Sequence, residues 1–219
     1  MDIATSKIII TGASSGIGLA TARAAIKKGT QVALVARRED RLNALVADLG
    51  PNALAVPCDV TEAVEIRSAI DKVIAAFGRI DVLINNAGRG FYASIEEIDV
   101  AAYRTLLDLN TIAPLAMMQA VLPQMRHQGS GAIVNVSSGA TFGVLPGAAT
   151  YASSKSALNM LSDVARIELA DIGIAVSTIY PFVTDTEFYE VVQKGEAAAE
   201  AELSNIGSAW TCPALVESV

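Results

Sequence analysis

The chain has 219 residues, 52% of them apolar and only 5% aromatic, with a formal net charge of −7. That balance supplies a large aliphatic core and excludes a disordered chain. The acidic charge, with no long Lys/Arg cluster, speaks against a nucleic-acid partner.

Short Val/Ile/Leu runs alternate with longer helical patterns. KIIIT (7–11) reads as a strand, and GIGLATARAAIKKG (16–29) as a helix closed by Gly29. QVALVA (31–36) is a second strand and EDRLNALVADLG (39–50) a second helix. ALAVPC (53–58) is a third strand, with Pro57 near its end. A third helix is expected over 61–78, with Thr61 as a candidate cap and Gly78 as its stop. DVLINNAG (81–88) is a fourth strand running into a turn. Residues 97–127 read as helical, with Pro114 starting or kinking a helix and Asn110 one turn before it. AIVNVSS (132–138) is a fifth strand, 149–171 a long helix and IAVSTIYP (174–181) a sixth strand. The Ala/Glu-rich stretch from 190 to 203 reads as an exposed helix.

Six strands alternating with helices predict an α/β fold: a doubly wound parallel sheet with helices on both faces. Right-handed crossovers bring the carboxyl ends of the strands to one edge, where such sheets bind ligands. The unusual clusters TGASSG, ARR, CDV, NNAG, VSSG and YPF all fall at that edge.

Several alternatives are weak. Cys58 and Cys212 have no metal-ligand spacing, and no metal site is expected; two free thiols in a reducing compartment fit them better. His127 is the only histidine and lies at a helix end beside glycines, so a Ser/His/Asp triad lacks support. IIIT (8–11) is too short for a signal peptide, and IAPLAMMQAVLP is interrupted by Gln119 and two prolines. A cytoplasmic protein with no membrane segment is expected.

The turn Thr11-Gly12-Ala13-Ser14-Ser15-Gly16-Ile17-Gly18 joins the first strand to the first helix. Glycines let backbone approach a ligand, and the helix aims free N–H groups and a positive dipole end at the same space. A pyrophosphate fits there, so a dinucleotide site is expected at Gly12, Ser14, Ser15, Gly16, Ile17 and Gly18. At the end of the second strand an acid would bond a ribose 2′-hydroxyl, but this chain has Ala36-Arg37-Arg38. Two guanidiniums suit a 2′-phosphate, so NADP(H) is expected in preference to NAD(H). Asp59, followed by Val60 after the third strand, is placed to reach the adenine amino group.

YASSK puts Tyr151 and Lys155 one helical turn apart on one face. Alone, that spacing describes an amphipathic helix with a half-buried Tyr and a solvated Lys. In order, TGASSGIG, NNAG at 85–88, Asn110, Ser138 in NVSS and YASSK resemble the short-chain dehydrogenases/reductases in their single-domain form, over about residues 5 to 186. The resemblance implies a Rossmann fold of six to seven strands spanning 1–219 as one NADP-binding domain, with a substrate loop at about 182–210. It implies interconversion of a ketone or aldehyde and an alcohol by hydride transfer, with Tyr151 as general acid/base. Lys155 favours the phenolate and bonds the nicotinamide ribose. Lowering a tyrosine pKa from about 10 by roughly three units needs about 4 kcal/mol of differential interaction, much of which one cation in a partly dry cleft supplies.

By the same resemblance Ser138 bonds the substrate oxygen, and Asn110 holds a water that links Lys155 to solvent. Asn86, Ala87 and Gly88 line the cofactor, chiefly with backbone. Two departures stand out. Pro181 is followed by Phe182 where the family has glycine; Thr186, with Thr184 as the fallback, takes the place of the carboxamide-binding threonine. After CPALVESV the sequence stops, so a C-terminal edge that is short or truncated is expected, which bears on a tetramer but leaves a homodimer through 103–127 and 151–170. Phe142, Phe182 and Phe188 are candidates for an apolar substrate pocket, and without a cation cluster a strongly anionic substrate is not indicated. A cofactor-sensing scaffold and an epimerase or dehydratase using the same site are the competing readings.

Overall fold

The computed structural model describes residues 2–182 and 193–194. Six strands form one parallel sheet in the order β3-β2-β1-β4-β6-β7: β1 Lys7–Thr11, β2 Gln31–Ala36, β3 Ala53–Pro57, β4 Val82–Asn85, β6 Gly131–Val136 and β7 Ile174–Ile179. The order reverses between β1 and β4, which opens a crevice at their carboxyl ends. Register across it pairs Ile8 with Val82 and Ile10 with Ile84.

Strand alternation divides the core into two layers. Ile8 and Ile10 of β1, with Val32 and Leu34 of β2, face Ala22 and Ala25 of α1 (Gly16–Lys27) and Leu42 of α2 (Glu39–Leu49). Ile9, Ala33, Leu83 and Ile133 face the other way, onto Ile66, Ile70 and Val73 of α3 (Ala63–Phe77) and onto Met117, Val121 and Met125 of α5 (Ala113–Gln128). Burying each large aliphatic side chain stabilises the fold by about 1.5–3 kcal/mol, which explains strands that are apolar on both faces.

Thr61 does not cap α3. Its N–H and hydroxyl both donate to Asp59 Oδ1, at 3.0 and 2.7 Å, and the residue before the helix is Glu62. The helix starts at Ala63, so Glu62 occupies the cap position and Thr61 lies one residue too early to accept a first-turn N–H.

The helical stretch expected over 97–127 is one run from Val100 to Gln128. It comprises α4 (Val100–Leu107), a π turn (Asp108–Ile112) and α5. By length and composition this run could cross a bilayer, but Leu106, Met117, Val121 and Met125 are fully buried in the core. Pro114 lies in the first turn of α5 and offers no N–H, so the Asn110 carbonyl lacks its partner four residues on. A wider π turn accommodates that loss. Helix α6 (Ala149–Ala170) packs along β7. A two-residue strand, β5 (Phe91–Tyr92), pairs in parallel with β8 (Gln193–Lys194).

Candidate active site

The glycine turn is locked to the turn after β4. Thr11 Oγ1 accepts the backbone N–H groups of Asn86 and Ala87, both at 3.0 Å. The Asn86 side chain donates to the carbonyls of Thr11 (3.0 Å) and Gly12 (3.2 Å). This packing dictates two glycines. Gly12 has φ +65°, and a Cβ there would meet Ala87 Cα at 2.9 Å. A Cβ on Gly18 would lie 2.5 Å from both Asn86 Nδ2 and Gly12 O. Gly18 thus closes the turn against Asn86 rather than facing the ligand space. Ser15 precedes α1 with no side-chain cap, leaving the first-turn N–H groups available to an anion. A diphosphate fits this cradle.

Arg38 Nη2 reaches Ser14 Oγ at 3.4 Å, so one guanidinium stands directly beside the turn. Arg37 is largely exposed and lies 3.9 Å from Asp59. Partial burial works against the Asp59 carboxylate, but its two bonds from Thr61 and the Arg37 charge outweigh that and hold its pKa below the ordinary value. Val60 is buried alongside, and Cys58 is buried with its thiol pushed up to about 11 by burial and by Glu65 and Asp59. Cys58 therefore stays protonated near neutrality and is no nucleophile.

Tyr151 and Lys155 are both buried, at 7% and 4% exposure, which removes the solvated-lysine reading. Lys155 Nζ donates to the Val136 carbonyl at 2.8 Å, and burial pulls its pKa down to about 8. A Cβ on Gly88 would stand 3.3 Å from that Nζ, so the glycine admits the ammonium beside the β4 turn. Ser138 Oγ accepts from the Ala140 N–H at 3.1 Å, leaving its own proton to donate elsewhere. Ser137 donates instead to Asn159 Oδ1 of α6 at 2.5 Å. Both serines follow the end of β6 and line the same cleft, and they differ in that the Ser137 hydroxyl is taken by Asn159.

Asn110 is fully buried, and its amide is committed to neighbours. Oδ1 accepts the Arg89 N–H at 3.1 Å, while Nδ2 donates to the Arg89 carbonyl and to Ser154 Oγ, both at 3.0 Å. Its side chain therefore ties the β4 turn to α6.

One cleft of about 810 Å³ runs from Gly12, Ser14, Ser15, Gly16 and Ile17, past Arg37, Arg38, Asp59 and Val60, to Ser138, Tyr151 and Lys155. Asn86, Ala87, Gly88 and Pro181 line it as well. Phe142 stacks on Tyr180 at 4.8 Å and is mostly exposed at the rim. Phe182 lies over Gly139, where a Cβ would meet its ring at 2.6 Å. Phe182 thus takes the space that Gly139 leaves open. Thr184, Thr186, Phe188 and Cys212 lie outside the described residues. Among the described residues no His/Cys/Asp/Glu group is arranged to hold a metal ion.

Two further residues support Tyr151, one from the cleft wall and one from behind it. Tyr92 packs its ring 5.9 Å from that of Tyr151. Ser154 lies inside YASSK, but only the fold reveals that it joins Tyr151 O (2.7 Å) to Asn110.

The sequence pattern of the short chain dehydrogenase family matches residues 6–197. An uncharacterized oxidoreductase of Staphylococcus haemolyticus is 40% identical over 183 residues, covering 83% of this chain and 79% of that protein. The D-threitol dehydrogenase of Mycolicibacterium smegmatis is 38% identical over 182 residues, covering 82% and 70%. Among solved structures, a short-chain dehydrogenase from Streptomyces avermitilis superposes with a TM-score of 0.85 at 36% identity, covering 93% of this chain and 79% of that one. An NAD+-bound xylitol dehydrogenase superposes with a TM-score of 0.77 at 34% identity, covering 81% and 70%.

Proposed function

The chain belongs to the short-chain dehydrogenase/reductase family, and from that premise we propose that it is an NADP(H)-dependent oxidoreductase interconverting a ketone or aldehyde and the corresponding alcohol. The observation that carries this reading is the joining of the glycine turn, Ser138, Tyr151 and Lys155 in one cleft. When bound, the nicotinamide supplies or accepts the hydride. The protein's part is to hold the reactants and to move a proton. Tyr151 gives its phenolic proton to the carbonyl oxygen during reduction and takes it back during oxidation. The Lys155 ammonium favours the phenolate through opposite charge in a dry site. Ser138 donates to the same substrate oxygen and stabilises its developing charge. Asn110 acts through position, holding the Arg89 backbone and α6 at fixed separation.

Tyr151→Phe is expected to lower kcat at least 100-fold while nucleotide affinity, followed by titration calorimetry, stays within about twofold. Full turnover by that variant would sink the acid/base assignment. Cofactor binding by wild type with no turnover of any substrate would favour a sensing scaffold. Turnover without net change at the nicotinamide absorbance band would favour epimerisation or dehydration.

NADP(H) preference is supported by Arg38 beside Ser14 and by Arg37 at the same strand end. Arg38→Ala and Arg37→Ala are each expected to lower kcat/KM with NADP about tenfold and leave the value with NAD unchanged. Equal wild-type kcat/KM for the two cofactors would overturn the preference. The relatives named for D-threitol and xylitol make small polyols the first alcohols to assay. Tyr92, Leu145 and Phe182 on the cleft wall make apolar ketones the second group.

A further inference from the structure

The cleft holds one cation that the chemistry above does not use. Arg89 follows the NNAG turn and lines the cleft together with Tyr92, Thr105 and Leu109. Its backbone is held on both sides by the Asn110 amide. Its guanidinium meets no acceptor among the described residues, and its Nε is buried without a hydrogen-bond partner. Burying a donor unsatisfied is costly, and a cation more so. The other cleft cations are engaged: Arg37 with Asp59, Arg38 with Ser14 and Lys155 with the Val136 carbonyl. Asp59 is the one carboxylate among the described lining residues, and it faces Arg37.

Position separates Arg89 from the nucleotide-selecting arginines. Those follow β2, whereas Arg89 follows β4, one residue beyond the Gly88 backbone that approaches Lys155 Nζ. It therefore serves the inner half of the cleft. A guanidinium pre-positioned by its backbone, with an unused buried donor, matches the paired oxygens of a phosphate or carboxylate.

We propose that Arg89 is an anion-binding residue of the inner cleft, gripping phosphate or carboxylate oxygens of the molecule bound there. This rests on the dinucleotide reading given above. The anion has two possible sources: the diphosphate bridge of the cofactor, or an acidic group on the substrate.

Titration calorimetry of wild type, Arg89→Met and Arg89→Lys with NADPH and with ADP-ribose separates them, together with KM for a neutral polyol and for a hydroxy acid. An affinity loss of about tenfold or more for both nucleotides in Arg89→Met, partly restored in Arg89→Lys, assigns the diphosphate. Unchanged nucleotide affinity, with KM raised about tenfold or more for the hydroxy acid alone, assigns the substrate. Unchanged nucleotide affinity without a selective loss toward the acid overturns the inference. So does an equal loss in both variants accompanied by a lowered melting temperature, since that is a packing effect. A wild-type protein that binds neither nucleotide overturns the dinucleotide reading, and this inference with it.

Discussion

Lys155 shows what the site costs at the scale of one residue. Its ammonium is buried and donates to the Val136 carbonyl at the end of β6, and burial lowers its pKa from 10.5 to about 8. The sign of the resulting pH effect follows from proton counting. Between about pH 8 and 10.5 the unfolded chain binds the Lys155 proton and the folded chain does not, so folding stability rises with pH across that window. Below pH 8 both states are charged and the full burial cost, about 3 kcal/mol, weighs against the fold. The stability of wild type relative to Lys155→Met, from urea unfolding at several pH values, is therefore expected to rise by up to about 3 kcal/mol between pH 8 and 10.5. A flat difference over that window would show that the lysine is not buried as a cation. The roles of Tyr151, Lys155 and Ser138 were proposed from motif order, whereas the committed amide of Asn110 and the unused guanidinium of Arg89 were not visible. Asn110 and Arg89 sit on different elements, 21 residues apart in the chain.

At the scale of elements, the run from Val100 to Gln128 is the piece on which the site hangs. Its π turn presents Asn110 to the β4 turn and to Ser154 of α6, so a single amide spans three elements. Asn110→Ala would leave the Arg89 N–H and carbonyl and the Ser154 hydroxyl short of partners. The expected loss is about 3 kcal/mol in urea unfolding, with activity falling alongside. A loss under about 0.5 kcal/mol would mean that these groups find water instead. Strands β1 and β2 were read to the residue because continuous apolar runs bounded by turn residues leave little choice. The two-residue β5 was missed because its pairing partner, Gln193–Lys194, lies about a hundred residues away and neither segment has a strand pattern. The Thr61 cap failed for a local reason: a turn in which Thr61 donates to Asp59 delays the helix start to Ala63 and puts Glu62 at the cap position.

For the whole molecule, α6 has two apolar sides. Leu158 and Leu169 face the core, while Met160, Val164 and Ile167 are exposed at 65%, 44% and 78%. Their i, i+4, i+7 spacing makes a stripe on one face, and Ile112 on the π turn is exposed as well. Such a stripe fits the homodimer expected through these helices. Val164→Arg combined with Ile167→Glu is expected to reduce the mass measured by light scattering to that of one chain. A wild-type protein already monomeric at micromolar concentration would remove the dimer.

What the sequence determined by itself was the chain order of the six main-sheet strands and the helices between them, the glycine turn, and the Tyr151–Lys155 spacing. These depend on local periodicity, turn chemistry and residues a few positions apart. The sequence missed β5 and read as a helix over 190–203, where β8 lies. The tertiary structure decided the rest. It matched Gly18 to Asn86, buried Lys155 against Val136, committed Asn110 to Arg89, and left the Arg89 guanidinium facing the cleft. Each of those depends on atoms brought together by the sheet crossovers, and burial or an unsatisfied donor exists only once distant segments have packed and excluded water.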